Sequence, residues 1–100
     1  MVIELFAEGA SGVIRIGGTL NLDSLKEFDQ QIKSLDFNGL QTVILNLQEL
    51  EHIDSSGVSG IIQLHKILSA HSVDMRVGNI STRVHRLFEQ MHLFEIIPKI

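Results

Sequence analysis

Hydrophobic and polar residues alternate one by one near the start of the chain, which predicts two β-strands. The first covers Val2 to Phe6, and the second is Val13-Ile14-Arg15-Ile16, after a turn at Gly9–Gly12. Two short strands joined by a glycine-containing turn are typical of a β-hairpin. We therefore predict an antiparallel hairpin at the beginning of the fold.

Three later segments have apolar residues at the spacing of amphipathic helices. Their apolar positions are Leu25, Phe28, Ile32 and Leu35; Val58, Ile61, Ile62, Leu64, Ile67 and Leu68; and Val84, Leu87, Phe88 and Met91. Ser24 and Glu27 have the spacing of a capping box at the first helix, and Ser81 is the predicted N-cap of the third. We predict three helices.

The segments between and after these helices have the patterns of strands. Thr42–Leu47 is almost continuously apolar, which predicts a central strand covered on both faces. Val73, Met75 and Val77 alternate with charged residues, and residues 94–98 are expected to form a short edge strand because proline cannot donate to a ladder. This element order predicts an α/β fold with a mixed sheet of four to five strands and right-handed parallel crossovers.

Composition narrows the classes of protein that the chain can belong to. It has 100 residues, 44% of them hydrophobic, which suits one domain over residues 1–100. Its net charge is −4 and its lysines and arginines are scattered, so we expect no nucleic-acid partner. The absence of cysteine excludes disulfides and thiolate metal sites. No apolar run approaches the ~20 residues that span a bilayer, so we expect a cytoplasmic protein without membrane insertion.

The sequence His52-Ile53-Asp54-Ser55-Ser56-Gly57 places an acid and two hydroxyls where a strand is predicted to lead into a helix. A helix N-terminus presents unpaired backbone N–H groups and a partial positive charge, so a phosphate added there is well accommodated. The connection also lies at the carboxyl end of a strand, where ligands of α/β sheets usually bind. Ser55 is therefore a candidate phosphorylation site, although the same residues are also those of an ordinary cap and turn.

The stretch from Val43–Leu47 through Ile53–Val58 resembles the signature of the STAS domain, the fold of bacterial anti-sigma factor antagonists. Gly18–Asn21 and Val84–Phe88, the latter followed by Leu93–Ile97, fit the same family in the right order. The resemblance spans nearly the whole chain and implies a STAS-like sheet with an N-terminal hairpin and three helices.

The resemblance implies a further C-terminal helix packed on the sheet, and we expect this helix to be missing here because the sequence ends at Ile100. Either the domain is trimmed, or an apolar cluster near the C-terminus is expected to pack against another chain, for example in a homodimer. This cluster consists of Ile96, Ile97 and Ile100.

The resemblance also implies a function. In the family, the serine directly after the aspartate is phosphorylated by a partner that is both a serine kinase and an anti-sigma factor. Here this serine is Ser55, with Ser56 as the second choice. The unmodified antagonist binds that partner and releases a sigma factor, and a protein phosphatase restores the unmodified state. The implied partner-binding residues are Asn21, Asp54, Ser55, Ser56 and Gly57. Such a protein is a phosphorylated substrate and a switch, with no catalytic residue, cofactor or metal of its own.

The role of Asn21 stays open. Family members often have aspartate where this chain has Asn21, so phosphorylation could be slower or absent, or Asn21 could simply cap a helix. The function stays open as well. The second hypothesis is a STAS subunit that is never phosphorylated and that docks on the ATPase of a transport complex with the same surface. An enzyme is a distant third hypothesis, because the G-x-S-x-G nucleophile elbow is missing and His85 and His92 are too far apart for paired metal ligands.

Overall fold

The computed structural model describes residues 1–100 as five strands and three α-helices, with one short 3₁₀-helix near the end of the chain. The strands are β1 (Val2–Glu8), β2 (Ser11–Leu20), β3 (Thr42–Leu47), β4 (Leu50–Ile53) and β5 (Asp74–Ile80). The α-helices are α1 (Leu25–Lys33), α2 (Ser55–Ala70) and α3 (Thr82–Gln90), and the 3₁₀-helix is Leu93–Glu95. None of these helices combines the length and the apolar composition that crossing a membrane requires.

The strands form one mixed sheet in the order β1-β2-β3-β5, with β4 added beside the last residues of β2. β1 and β2 are antiparallel and are connected by a turn at Gly9 and Ala10. β3 and β4 each pair in parallel with β2, and β5 pairs in parallel with β3. The predicted α/β fold and the N-terminal hairpin are therefore confirmed. β4 was not predicted, because its four residues have polar side chains at both middle positions and no extended apolar run.

The core lies on one face of the sheet, where buried strand residues pack against the apolar sides of the helices. The largest fully buried side chains are Phe28, Phe88, Ile14, Ile16, Leu20, Ile32, Leu45, Leu47, Leu50, Ile61, Leu64 and Leu68. Ser81 caps α3 as predicted, since its hydroxyl oxygen accepts a hydrogen bond from the Val84 backbone N–H at 3.4 Å. This one-sided core fixes which ends of the strands and helices meet.

The other face of the sheet is open, which corrects the prediction for β3. Residues of β3 alternate between buried and accessible, and Ile44 is 37% exposed instead of covered. Phe6 on β1 is 56% exposed on the same face. Charged pairs lie among these apolar residues: Arg15 with Glu4, and Arg76 with Asp74. β3 is central in the sheet, as predicted, but it has only one buried side.

The C-terminal segment is not the edge strand that the sequence predicts. Residues 93–95 form a 3₁₀-helix, and only Lys99 makes a single parallel bridge to Val77 of β5. Ile97 is fully buried, whereas Ile96 and Ile100 are exposed. Ile97 is therefore buried within the domain itself and does not need a second chain to cover it, because the 3₁₀ turn directs its side chain into the core.

Candidate functional site

The site is built where β2 and β4 end side by side. Leu20 and Ile53 are paired in the parallel ladder, and the Asp54 backbone N–H donates to the Leu20 carbonyl oxygen at 3.3 Å. Asn21 and Asp54 directly follow these paired residues, and neighbouring strands are only about 4.8 Å apart. The structure thus brings together Asn21 and Asp54, two predicted site residues that are far apart in the sequence.

Asp54 is the N-cap of α2. Its backbone is extended, and its Oδ1 accepts a hydrogen bond from the Gly57 backbone N–H at 2.9 Å. A carboxylate at this position satisfies one of the free donors of the helix and interacts favourably with its dipole. The first turn of α2 is therefore fixed by the residue that directly precedes the candidate phosphorylation site.

Ser55 is the first residue of α2 and is exposed, whereas Ser56 is half-buried. The Ser55 hydroxyl makes no hydrogen bond within the chain, and only its carbonyl oxygen is used, accepting from the Ser59 hydroxyl at 3.2 Å. An exposed hydroxyl without an internal partner can enter the active site of another protein at little cost. Of the two serines, Ser55 is the more accessible.

Gly57 is buried behind these two serines. A β-carbon at this position would overlap the Leu20 backbone and come within 2.7 Å of the Ile53 side chain. The structure therefore explains this glycine by close packing of α2 against the ends of β2 and β4. A direct contact between Gly57 and a partner stays a prediction.

Asn21 is half-buried and is held by Ser24 in a reciprocal arrangement. Asn21 Oδ1 accepts from the Ser24 backbone N–H at 3.1 Å, and the Ser24 hydroxyl oxygen accepts from the Asn21 backbone N–H at 3.0 Å. The predicted capping box is wrong, because the Ser24 hydroxyl donates to the Thr19 carbonyl oxygen and Glu27 accepts from Gln31 instead. Asn21 thus shapes the turn before α1 while its Nδ2 makes no bond within the chain.

A groove beside the site contains two arginines that the sequence analysis does not predict to be near Ser55. It has a volume of about 350 Å³ and lies between β4 and α3. Arg83 Nη1 is 3.2 Å from His52 Nδ1, and Arg86 lines the same groove. Both arginines are exposed on α3. Their relation to Ser55 depends on β4, which was missed, so periodicity alone could not have found it.

The largest cleft, of about 800 Å³, shares His52 and Arg83 with this groove and includes none of the predicted site residues. Glu49 lines this cleft and reaches Arg15 on the open sheet face at 3.1 Å. The hydrogen bond from Arg15 to Glu4, together with the charges of Glu4 and Glu49, raises the pKa of Arg15 above its ordinary value. The Arg15 guanidinium therefore stays charged around neutral pH, and the network lies apart from the serines.

A model of the STAS domain family matches residues 5–100, which is almost the whole chain. The chain belongs to the STAS domain family. The resemblance predicted from the sequence is thereby confirmed, and the five-stranded mixed sheet with three helices is the fold of this STAS domain.

Three similar proteins agree with this assignment. The STAS domain is 26% identical over 87 residues to the anti-sigma F factor antagonist of Paenibacillus polymyxa, covering 86% of this chain and 74% of the relative. It is 24% identical over 76 residues to an anti-sigma-B factor antagonist of Staphylococcus aureus, covering 76% of this chain and 70% of the relative. The unphosphorylated form of the anti-sigma factor antagonist SpoIIAA superimposes with a TM-score of 0.73 at 22% identity, over 99% of this chain and 88% of that one.

Proposed function

We propose that this STAS domain is an anti-sigma factor antagonist that works as a phosphorylation-controlled binding switch. The observation that carries the proposal is the exposure of Ser55 at the first residue of α2, directly after the capping carboxylate of Asp54. The similar proteins of P. polymyxa and S. aureus are named antagonists of anti-sigma factors, which supports the same role for this chain.

The proposed partner is an anti-sigma factor with serine kinase activity, which acts on this domain in the cytoplasm. The Ser55 hydroxyl oxygen attacks the γ-phosphorus of ATP held by the kinase, the bond to the β,γ-bridging oxygen breaks, and ADP leaves. The hydroxyl proton passes to a base of the kinase. A protein phosphatase hydrolyses the phosphate ester and restores Ser55. The STAS domain itself is the substrate and contributes no catalytic residue.

Magnitudes explain how the phosphate can end binding without unfolding the domain. It adds about −1.5 to −2 charges at a helix N-terminus, where negative charge is favoured by roughly 0.3–1 kcal/mol, and Asp54 offsets part of this gain. In an interface, a buried charge without a partner costs on the order of 2–5 kcal/mol, and about 1.4 kcal/mol corresponds to a tenfold change in affinity. The domain therefore stays folded while the partner dissociates.

Mass spectrometry after incubation with the anti-sigma factor of the same genome and ATP tests the modification. We expect the mass to rise by one phosphate in the unchanged protein and in Ser56→Ala, and to stay constant in Ser55→Ala. A phosphate mapped to Ser56 would keep the switch and move the site. No phosphate on either serine, together with stable binding to the ATPase of a transport complex, would favour the constitutive docking subunit instead.

Binding is tested separately with Ser55→Asp, which imitates part of the added charge. We expect its affinity for the anti-sigma factor to fall at least tenfold while its melting temperature stays close to that of the unchanged protein. Ser59→Asp is a matched control, since Ser59 is exposed one turn further along α2. Undiminished binding of folded Ser55→Asp contradicts the proposal.

A further inference from the structure

The four arginines of the chain fall into two classes according to their neighbours. Arg15 is paired with Glu4 and Glu49, and Arg76 Nε donates to Asp74 at 3.0 Å. The only hydrogen-bonding contact of the Arg83 side chain is with His52, and Arg86 makes no hydrogen bond or ion pair. The two arginines that form no ion pair therefore both line the groove between β4 and α3, and Arg83 also lines the larger cleft that contains Glu49 and Glu51.

This groove is basic although the chain as a whole carries a net charge of −4. Its lining is His52, Ile53, Arg83, Val84, Arg86, Leu87 and Gln90, with no aspartate or glutamate. A guanidinium group binds a carboxylate through two parallel hydrogen bonds, which gives arginine its preference for acidic partners. Two such groups in one groove define a site for negatively charged side chains.

The groove also has an apolar floor. Ile53 and Leu87 are only half-buried and line it together with Val84. Its volume of about 350 Å³ lies at the lower end of the roughly 300–1,000 Å³ of common ligand pockets, which suits a short peptide segment. It contains no Phe, Tyr or Trp side chain on which a nucleobase could stack, and two arginines are a small basic surface for nucleic acid.

The groove is continuous with the proposed switch. His52 is three residues before Ser55, so their Cα atoms are at most about 11 Å apart along the chain. Arg83 is attached to this segment through the 3.2 Å contact with His52. A partner that covers Ser55 therefore has the groove within reach of the same surface.

We propose that the groove docks an acidic segment of the protein partner, in which two carboxylates bind Arg83 and Arg86 and an aliphatic side chain packs on Ile53 and Leu87. This inference rests on the proposed function for the identity of the partner. It adds a second, electrostatic part to the docking surface, one that Ser55 itself does not provide.

The first test uses a capped tetrapeptide of glutamate and leucine as the probe, titrated into the isotope-labelled protein and followed by amide chemical shifts. We expect saturable shifts at His52, Ile53 and residues 84–90, and at least tenfold weaker binding to the double variant Arg83→Glu/Arg86→Glu. Lys66→Glu is the control, because Lys66 is an exposed cation on α2 away from the groove. The same peptide with lysine instead of glutamate should not bind.

Three results would overturn the inference: no saturable shifts, shifts elsewhere on the surface, or equal affinity in the double variant. Tighter binding of a single-stranded oligonucleotide in the groove would assign it to nucleic acid and overturn the inference as well. Circular dichroism of both variants checks that they are folded.

The second test measures Arg83→Glu/Arg86→Glu and Ser55→Asp in parallel against the anti-sigma factor. We expect each to weaken binding at least tenfold, and the arginine variant to lose most of its salt dependence. If only Ser55→Asp weakens binding, the groove inference fails and the proposed function stands. If only the arginine variant does so, the groove stands and the phosphorylation switch fails.

Discussion

Gly57 lies directly against the carbonyl oxygen of Leu20, where a β-carbon would come within 2.2 Å of that oxygen. This close approach lets the first turn of α2 sit on the ends of β2 and β4. Because the obstacle is backbone, neither partner can move aside without disturbing the sheet.

We therefore expect Gly57→Ala to lower the free energy of unfolding by about 3 kcal/mol, the upper end of the usual cost of overpacking, because the obstacle is backbone. Gly60→Ala is the matched comparison on the same helix, since its nearest obstacle, at 2.9 Å, is the end of the Leu25 side chain. It should cost less, because that side chain can rotate and alanine favours the helix. Urea denaturation of both variants measures the difference, and equal losses would show that the backbone contact is unimportant.

Asp54 has two separable roles, which its substitutions can distinguish. Asp54→Ala removes the acceptor for the Gly57 N–H, so we expect a loss of about 1 kcal/mol in stability. Asp54→Asn keeps an acceptor oxygen and should recover most of that loss. If Asp54→Asn is stable but binds the anti-sigma factor more weakly, the carboxylate contacts the partner directly. Thermal unfolding and a binding titration on the same samples provide both readouts.

Asn21→Asp introduces the carboxylate that the resemblance to the STAS family leads us to expect at this position. Its Oδ1 can still accept from the Ser24 N–H, so we expect the melting temperature to change little. Asn21→Ala loses this acceptor and should cost about 1 kcal/mol. The initial rate of Ser55 phosphorylation, measured for both variants, then tests whether the side chain also acts on the kinase. Equal rates in Asn21→Asp and the unchanged protein would limit Asn21 to shaping its turn.

The C-terminal segment offers two neighbouring isoleucines with opposite environments. Ile97 is 0% exposed and Ile96 is 48% exposed. We expect Ile97→Ala to destabilise the domain by about 2–5 kcal/mol and Ile96→Ala to stay within about 0.5 kcal/mol of the unchanged protein. Chemical denaturation distinguishes them. Similar losses for both would mean that the segment packs differently in solution.

The elements that could be predicted from the sequence are those with a clear period. The N-terminal hairpin, the three helices and the cap at Ser81 follow from local spacing and local hydrogen bonding. β4 could not be predicted in the same way, because its pairing with the end of β2 is a long-range contact and its two middle residues are polar. The pattern of residues 94–98 predicts a strand, whereas the structure has a 3₁₀ turn, which buries the Ile97 side chain in the core.

The same distinction applies to the site. Ser55 as a candidate phosphorylation site follows from the order of residues at a predicted strand-to-helix junction, and the structure adds that Asp54 caps the helix there. The proximity of Asn21 to Asp54, and of Arg83 to His52, depends on how β2, β4 and α3 meet, which no local pattern contains.

The uncovered side of the sheet limits how this protein can behave at high concentration. Phe6, Val13 and Ile44 form one apolar row across this side of the sheet. The charges of Glu4 and Arg15 border this row along the strands and Arg76 borders it on β5, so the exposed apolar area stays narrow. Neutralising these charges would hardly alter the folding equilibrium, yet it would let two molecules stack sheet against sheet. Colloidal stability, more than thermal stability, therefore constrains the amino acids allowed on this face.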